Sequence, residues 1–125
     1  MSLTRIGLRL VRQTMTAAIC AALLTGCGVA QSNEPFDSSR WQGADLTTRT
    51  RAAMVRDLLR RHPLEGQNQD TILALLGAPT PTDKWPTSEM VYVLGPDRGI
   101  GIDHEWLLIE LDANQVVVAY SIVQD

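Results

Sequence analysis

The chain has 125 residues, enough for one domain, and its 11 basic and 14 acidic residues give a net charge of −3. This balance argues against general nucleic-acid binding, which needs basic side chains to displace counterions from phosphates. It also argues against purely electrostatic adhesion to anionic lipid.

The first 26 residues have the layout of a secretory signal peptide. Arg5, Arg9 and Arg12 are the only charges before Glu34, and an apolar core over 15–24 follows them. A membrane-spanning helix needs roughly 20 predominantly apolar residues, and this core has half that length. The pattern therefore favours a cleaved signal peptide over a transmembrane helix.

The segment "LTGC", residues 24–27, resembles the lipobox of bacterial lipoproteins. In that family a peptidase cuts before the cysteine, so the resemblance implies that Cys27 starts the mature chain and carries a diacylglycerol. Two or more acyl chains hold a protein on a membrane, whereas a single chain binds marginally. Gly28 rather than aspartate follows the cysteine, which by resemblance to enterobacterial sorting favours the outer membrane, facing the periplasm.

Cleavage at this point would change the chemistry available to the chain. Loss of the signal peptide over 1–26 removes three arginines and no acid, so the net charge falls from −3 to −6. Cys20 leaves with the signal and Cys27 becomes a thioether, which excludes disulfides, thiolate metal sites and thiol catalysis. Residues 27–35 are predicted to be a lipidated tether, and 36–125 a single small domain.

Two helices are predicted at the start of this domain. The first begins at a cap, Asp45 or Thr47, and ends at Pro63. The second begins at Asn68 and ends at Gly77, where a left-handed glycine is common. Their apolar stripes follow helical spacing and comprise Met54, Val55, Leu58, Leu59, Ile72, Leu73, Leu75 and Leu76.

The period of the apolar pattern then changes from helical to alternating. Segments 90–95, 105–111 and 115–123 are rich in β-branched and aromatic residues and are predicted to be strands. A polar break over 112–115 suits a hairpin turn. We therefore expect an α+β fold of the order ααβββ, with two helices packed on one face of a three-stranded antiparallel sheet.

Two helices can cover only one face of such a sheet. Leu107, Ile109 and Leu111 form the more purely apolar set of the second strand, so we assign them to the helix-covered core. Trp106 and Leu108 alternate with them and would face outward, where they could meet a partner. The inverse assignment stays open, because a tryptophan would also serve well in a core.

The segment "GQNQDTILALLGAP", residues 66–79, is similar to the glycine, short helix and Leu-Leu-Gly-x-Pro segment of the BamE (SmpA/OmlA) family of small envelope lipoproteins. The order of lipobox, linker, two helices and three strands also agrees, over roughly residues 45–123. The resemblance implies the fold and an envelope location; it transfers no lipid-contacting or partner-contacting residue. The matching positions are Gly66, Ile72, Leu75, Leu76, Gly77 and Pro79.

The residues that could carry catalysis or bind a metal form no recognisable site. His62 ends a helix, and in a strand Asp103 and Glu105 would lie on the face opposite His104. Zinc sites usually take three or four protein ligands, and a domain this small leaves little room for a cleft between two catalytic carboxylates. We expect no catalytic residue, no metal, and no cofactor besides the lipid on Cys27.

The aromatic residues suggest contact with another protein. Three tryptophans are more than so small a core needs, and tryptophan is enriched at interface hot spots. The candidate partner-binding residues are Trp85, Tyr92, Trp106 and Leu108, although for Trp85 packing over the sheet edge is favoured over contact with a partner. The favoured hypothesis is a lipid-anchored, non-enzymatic envelope protein that binds another envelope protein; the alternative is a periplasmic inhibitor or small-ligand-binding module.

Overall fold

The computed structural model describes residues 33–99 and 103–125. The predicted signal peptide over 1–26, the predicted lipidation site Cys27 and most of the predicted tether lie outside these residues. Three helices precede three strands, which form an antiparallel sheet of order β1-β2-β3. The elements are α1 (Ser38–Gln42), α2 (Thr50–Arg61), α3 (Gln69–Leu76), β1 (Met90–Pro96), β2 (His104–Leu111) and β3 (Val117–Gln124).

The α+β class is confirmed, but the described residues contain one helix more than the two predicted. The additional helix, α1, is a single short turn whose first N–H groups are capped by Asp37, which accepts from the Arg40 amide at 2.8 Å. A helix of this length is not stable by itself. It is held because Trp41 is fully buried in the core, so no local periodicity could have predicted it.

The start of α2 also differs from the prediction. The helix begins at Thr50, preceded by Arg49 with no side-chain cap. Asp45 instead closes a turn ahead of the helix, accepting from the Thr47 amide at 2.9 Å and from its hydroxyl at 2.7 Å. Side-chain to backbone bonds of this kind compete with helix initiation, so the residue predicted to cap α2 ends the segment before it.

The boundaries predicted for α3 are confirmed. Asn68 caps its start by accepting from the Thr71 amide at 2.8 Å. Gly77 follows its last turn with φ 75° and ψ −166°, a backbone region that is essentially restricted to glycine. The Gly77 carbonyl accepts from the Tyr92 hydroxyl at 2.8 Å, so the end of α3 is tied to β1.

The assignment of the two sheet faces is confirmed. Leu107, Ile109 and Leu111 lie in the main hydrophobic core, with exposures of 0%, 0% and 8%. Alternate residues of β1 share this face, since directly opposed residues of antiparallel strands point the same way. The helices contribute Trp41, Met54, Val55, Leu58, Ile72 and Leu76 to the same core.

A buried carboxylate joins the segment before α1 to α2. Asp57 is 4% exposed and accepts from the Phe36 amide at 2.6 Å. It also binds Arg60 at 2.6 Å and Arg61 at 2.7 Å. The hydrogen bond from the Phe36 amide, followed by that from Arg60, lowers the pKa of Asp57 from 3.8 to about 2.

We expect Asp57→Asn to lower the melting temperature at neutral pH, because the folded protein holds the charged form of this group. The folded pKa lies below the unfolded one, so the contribution is complete above 3.8 and is lost as pH falls through about 2. Thermal melts of both proteins from about pH 7 to about pH 2 should converge at the acid end. Asp83→Asn, at an exposed loop position, is the matched control. A difference that does not vary with pH would contradict this account.

Candidate functional site

The sheet face opposite the helices, which we call the back face, carries a second hydrophobic cluster. Val91 and Val93 of β1 lie opposite Leu108 and Trp106 of β2, and Trp85 and Val123 pack against them. The prediction that Trp106 and Leu108 point away from the helices is therefore confirmed. The expectation that they are exposed is wrong, because their exposures are 6% and 8%.

The loop over 77–89 covers both the back face and the outer edge of β1. The Thr80 amide donates to the Val91 carbonyl at 2.7 Å, and its hydroxyl accepts from the Val93 amide at 3.0 Å. The Trp85 ring meets Trp106 edge-on, with 6.5 Å between ring centroids. An apolar face and an unpaired strand edge both need cover, and one loop supplies it.

Trp85 itself is half-buried, so of the two possibilities for this residue the structure favours packing over the sheet. Its indole N–H has no hydrogen-bond partner in the described part of the chain. An aromatic ring can be held by apolar contact alone while its polar tip stays unpaired, at some cost in stability. We conclude that the main role of Trp85 is to shield Trp106 from solvent.

Tyr92 does not lie on the back face. It is fully buried in the main core, opposite Leu107, and its ring is 6.4 Å from that of Trp41. Burial raises the pKa of the Tyr92 hydroxyl well above its ordinary value, and that hydroxyl donates to Gly77. The proposal that Tyr92 contacts a partner is therefore wrong; it is a core residue that anchors the end of α3.

The back face ends in a cluster of polar contacts centred on Asp125. Its carboxylate accepts from the His104 amide at 2.8 Å and from the Trp106 indole N–H at 3.1 Å, and it pairs with the Lys84 ammonium group. The hydrogen bond from Lys84, with that from His104, holds the pKa of Asp125 well below its ordinary value. These contacts fasten the 77–89 loop to β2.

A cavity of about 500 Å³ opens beside this cluster. Leu46, Val93, Pro96 and Trp106 form its apolar wall. Its volume is within the range of small-molecule sites, which combine apolar walls with a few polar groups. The polar groups at its rim already bind each other, since Lys84 and Asp125 form an ion pair.

A row of exposed apolar side chains on β3, which we call the β3 row, is the part of the surface that sequence reasoning missed. It consists of Val118, Tyr120 and Ile122, with exposures of 52%, 37% and 44%. Tyr120 and Ile122 lie opposite Ile109 and Leu107, so they point to the helical side of the sheet. The alternation is visible in "VVAYSIV", but no local signal tells that the helices stop short of this strand.

The two outer edges of the sheet differ in how much of their backbone is hydrogen-bonded to other segments. The outer edge of β1 is bonded to Thr80, as described above. The outer edge of β3 is bonded only at its start, where Val117 donates to Gln67 at 2.8 Å and accepts from Gly66 at 2.9 Å. From 118 to 124, no backbone hydrogen bond joins β3 to any element other than β2 within the described residues. Most of this edge is therefore available for pairing.

A groove of about 340 Å³ separates β3 from α2. Ala52, Val55 and Arg56 line it from the helix, and Ile122 lines it from the strand. An ion pair of Arg49 and Glu105, at 3.2 Å, lies at its wall. The carboxylate of Glu105, considered above as a catalytic candidate, is thus engaged by an arginine.

The described residues offer no group of three or more His, Cys, Asp or Glu side chains placed to hold a metal ion. Between 33 and 99 and between 103 and 125, no helix has the length and apolar character that a membrane crossing demands. No protein-family model, no curated protein and no solved structure matches this chain. Its function is therefore inferred from its own residues.

Proposed function

We propose that this protein is a lipid-anchored, non-enzymatic protein of the bacterial cell envelope that acts as a protein–protein interaction or scaffold module. The observation that carries the proposal is the β3 row beside an unpaired strand edge, on a sheet whose other edge and back face are covered. Exposed apolar surface next to an open edge is costly to keep. A partner that covers it would remove that cost.

The proposed location is the outer membrane, on its periplasmic face. The basic start, the apolar core and the lipobox ending at Cys27 support it, with the covalent lipid as the anchor. The order of elements and the motif Leu76-Gly77-x-Pro79 support a likeness to the BamE family. By that likeness we assign the protein a role in outer-membrane assembly or maintenance.

The anchor is tested by intact-mass spectrometry of the protein made in a bacterial host with a lipoprotein pathway. We expect the wild-type chain to begin at Cys27 and to carry the mass of the lipid, because cleavage and acylation require that thiol. Cys27→Ser should accumulate as the precursor, whereas Cys20→Ser, inside the signal, should be processed like wild type. A mature wild-type chain without lipid would refute the anchor.

The second candidate function is a periplasmic inhibitor or small-ligand-binding module, and the cavity beside Trp106 favours it. The two functions differ in what purifies with the protein. Recovery with a membrane complex from detergent-solubilised envelopes supports the scaffold, whereas equimolar recovery with one soluble enzyme, or with a small apolar molecule, supports the alternative.

A further inference from the structure

The positive charge of this acidic protein is concentrated in the segment that contains α1 and α2, and part of that charge lines the groove between α2 and β3. Six of the eight basic residues that follow position 26 lie between 40 and 61. Helix α2 alone has four arginines against one acid, Asp57. The groove along β3 is lined by three basic residues, Arg49, Arg56 and Arg98, and by two acidic ones, Asp97 and Glu105, so it has a net positive charge in a molecule whose net charge is negative.

The arginines of α2 are not all engaged by the fold. Arg51 is buried and donates to the Trp41 carbonyl, and Arg60 and Arg61 both bind Asp57. Arg56 lines the groove and is exposed. It has no carboxylate within 4.0 Å among the described residues. A carboxylate in the groove would therefore find a free cation there.

An extended chain added to the outer edge of β3 would bring its side chains beside the β3 row, at the open side of this groove. Neighbouring strands lie about 4.8 Å apart, and alternate side chains of the added strand would point to the helical side. There they would meet Tyr120 and Ile122, on the same side as Arg56. A segment that alternates acidic with apolar or β-branched residues would do three things. Its backbone would hydrogen-bond to the β3 edge, its apolar side chains would pack on the β3 row, and its carboxylates would pair with Arg56.

A second copy of this chain fits the same surface less well. Two β3 edges related by a two-fold axis perpendicular to the sheet would bring both α2 helices to the same side of the joined sheet. Each helix has a charge of +3 within Thr50–Arg61, and the paired β3 strands would bring no carboxylate to it, since Val117–Gln124 has no acidic residue. An acidic segment instead complements this charge.

We propose that an extended, acidic segment of a partner protein pairs with the outer edge of β3 and directs its acidic side chains across the β3 row toward Arg56, in the groove along α2. The proposal rests on the proposed function as an interaction module and names the chemistry of the partner. Backbone hydrogen bonds to β3 supply affinity, the β3 row buries the apolar side chains, and Arg56 selects for carboxylates.

The probe is a fluorescein-labelled peptide of about ten residues in which glutamate alternates with valine and threonine. It is titrated against the full-length protein in non-ionic detergent, and binding is followed by fluorescence anisotropy. We expect saturable binding that weakens with added salt, and no binding of the counterpart with lysine in place of glutamate. Equal binding of both peptides would overturn the proposal.

Charge reversal at the groove is the first variant test. Arg56→Glu should weaken binding of the glutamate peptide by about tenfold or more, because it replaces attraction with repulsion in a partly desolvated groove. Arg40→Glu is the matched control, since Arg40 is also exposed but lies on α1, paired with Glu34. Melting curves check that both variants fold. If both substitutions weaken binding equally, the groove is not the site.

Peptide N-methylation tests the pairing itself. In an extended strand, alternate amides point to opposite edges, so methylation of one alternate set should abolish binding and methylation of the other should leave it intact. If methylation of either alternate set abolished binding, the peptide would bind as a helix. If methylation of neither set weakened binding, the contact would be purely ionic. Each of these two results would overturn the proposal.

Two further outcomes would assign the surface to a different occupant. One is Arg56-dependent binding to vesicles containing an anionic lipid, without binding of the glutamate peptide. The other is a dimer in detergent that Tyr120→Lys dissociates. The lipid on Cys27 is measured independently, so an unlipidated protein that still binds the peptide refutes the anchor alone. A lipidated protein that binds no peptide refutes this inference alone.

Discussion

Gly95→Ala should destabilise the domain by about 3 kcal/mol, and for a domain of this size the melting temperature should fall by roughly 12–24 °C. Gly95 has φ +135°, and a Cβ atom there would lie 2.3 Å from the Thr48 carbonyl oxygen and 3.1 Å from the Arg49 Cα. Both contacts are with backbone, so no side-chain rotation relieves them. The irregular register of β1 between Val93 and Gly95 lies at this contact.

Alanine substitutions at two other glycines distinguish the effect of backbone strain from the effect of a steric clash in the same thermal melts. Gly66 has φ +84° but no heavy atom within 4 Å of the added Cβ, so Gly66→Ala should cost only about 1 kcal/mol of backbone strain. Gly99 has neither feature, since its Cβ would meet Asp97 at an ordinary 3.4 Å. If Gly95→Ala were no worse than Gly66→Ala, the close approach of β1 to the segment before α2 would be refuted.

Trp106→Ala should destabilise the domain by about 3 kcal/mol, in the lower part of the range for buried tryptophans. The substitution removes the largest side chain of the back face, opens a void under Trp85 and leaves the Asp125 carboxylate without one of its three donors. The free energy of unfolding is measured by urea titration with circular dichroism as the signal. Unchanged stability would mean that the 77–89 loop does not pack on the sheet.

Trp85→Ala is the comparison that isolates the covering role of the loop. Trp85 is half-buried, so its removal should cost about 1 kcal/mol and should leave binding at the β3 groove unchanged. A loss of peptide affinity in this variant would move the interaction surface from β3 to the back face, as the sequence alone had suggested.

The face assignment of β2 shows what alternation can predict. Side chains alternate along a strand. Leu107, Ile109 and Leu111 therefore point to one side of β2, and Trp106 and Leu108 point to the other, whatever surrounds the strand. The choice of the purely apolar set for the helix-covered side is correct. The same pattern could not show that a loop covers the opposite side, because alternation within β2 carries no information about the position of the 77–89 loop.

Tyr92 and Tyr120 show that alternation along a strand does not predict which of its residues are exposed. Both are tyrosines on predicted strands, and sequence reasoning chose Tyr92 as the partner contact. In the fold Tyr92 lies on β1, under the helices, whereas Tyr120 lies on β3, beyond their reach. The helices do not cover the three strands evenly, and which strand is left bare depends on the order β1-β2-β3 and on where α2 packs.

The sequence by itself determined that helices precede strands, that α3 begins after the Asn68 cap and ends before Gly77, and which side chains of β2 point to each face of the sheet. Each of these depends on neighbours within a few residues, through backbone hydrogen bonding or alternation. The tertiary structure alone decided that α1 forms around Trp41, that the back face is covered, and that β3 has an open edge beside a groove lined by Arg56. Those features depend on contacts between distant segments, because exposure is a property of what packs over a residue.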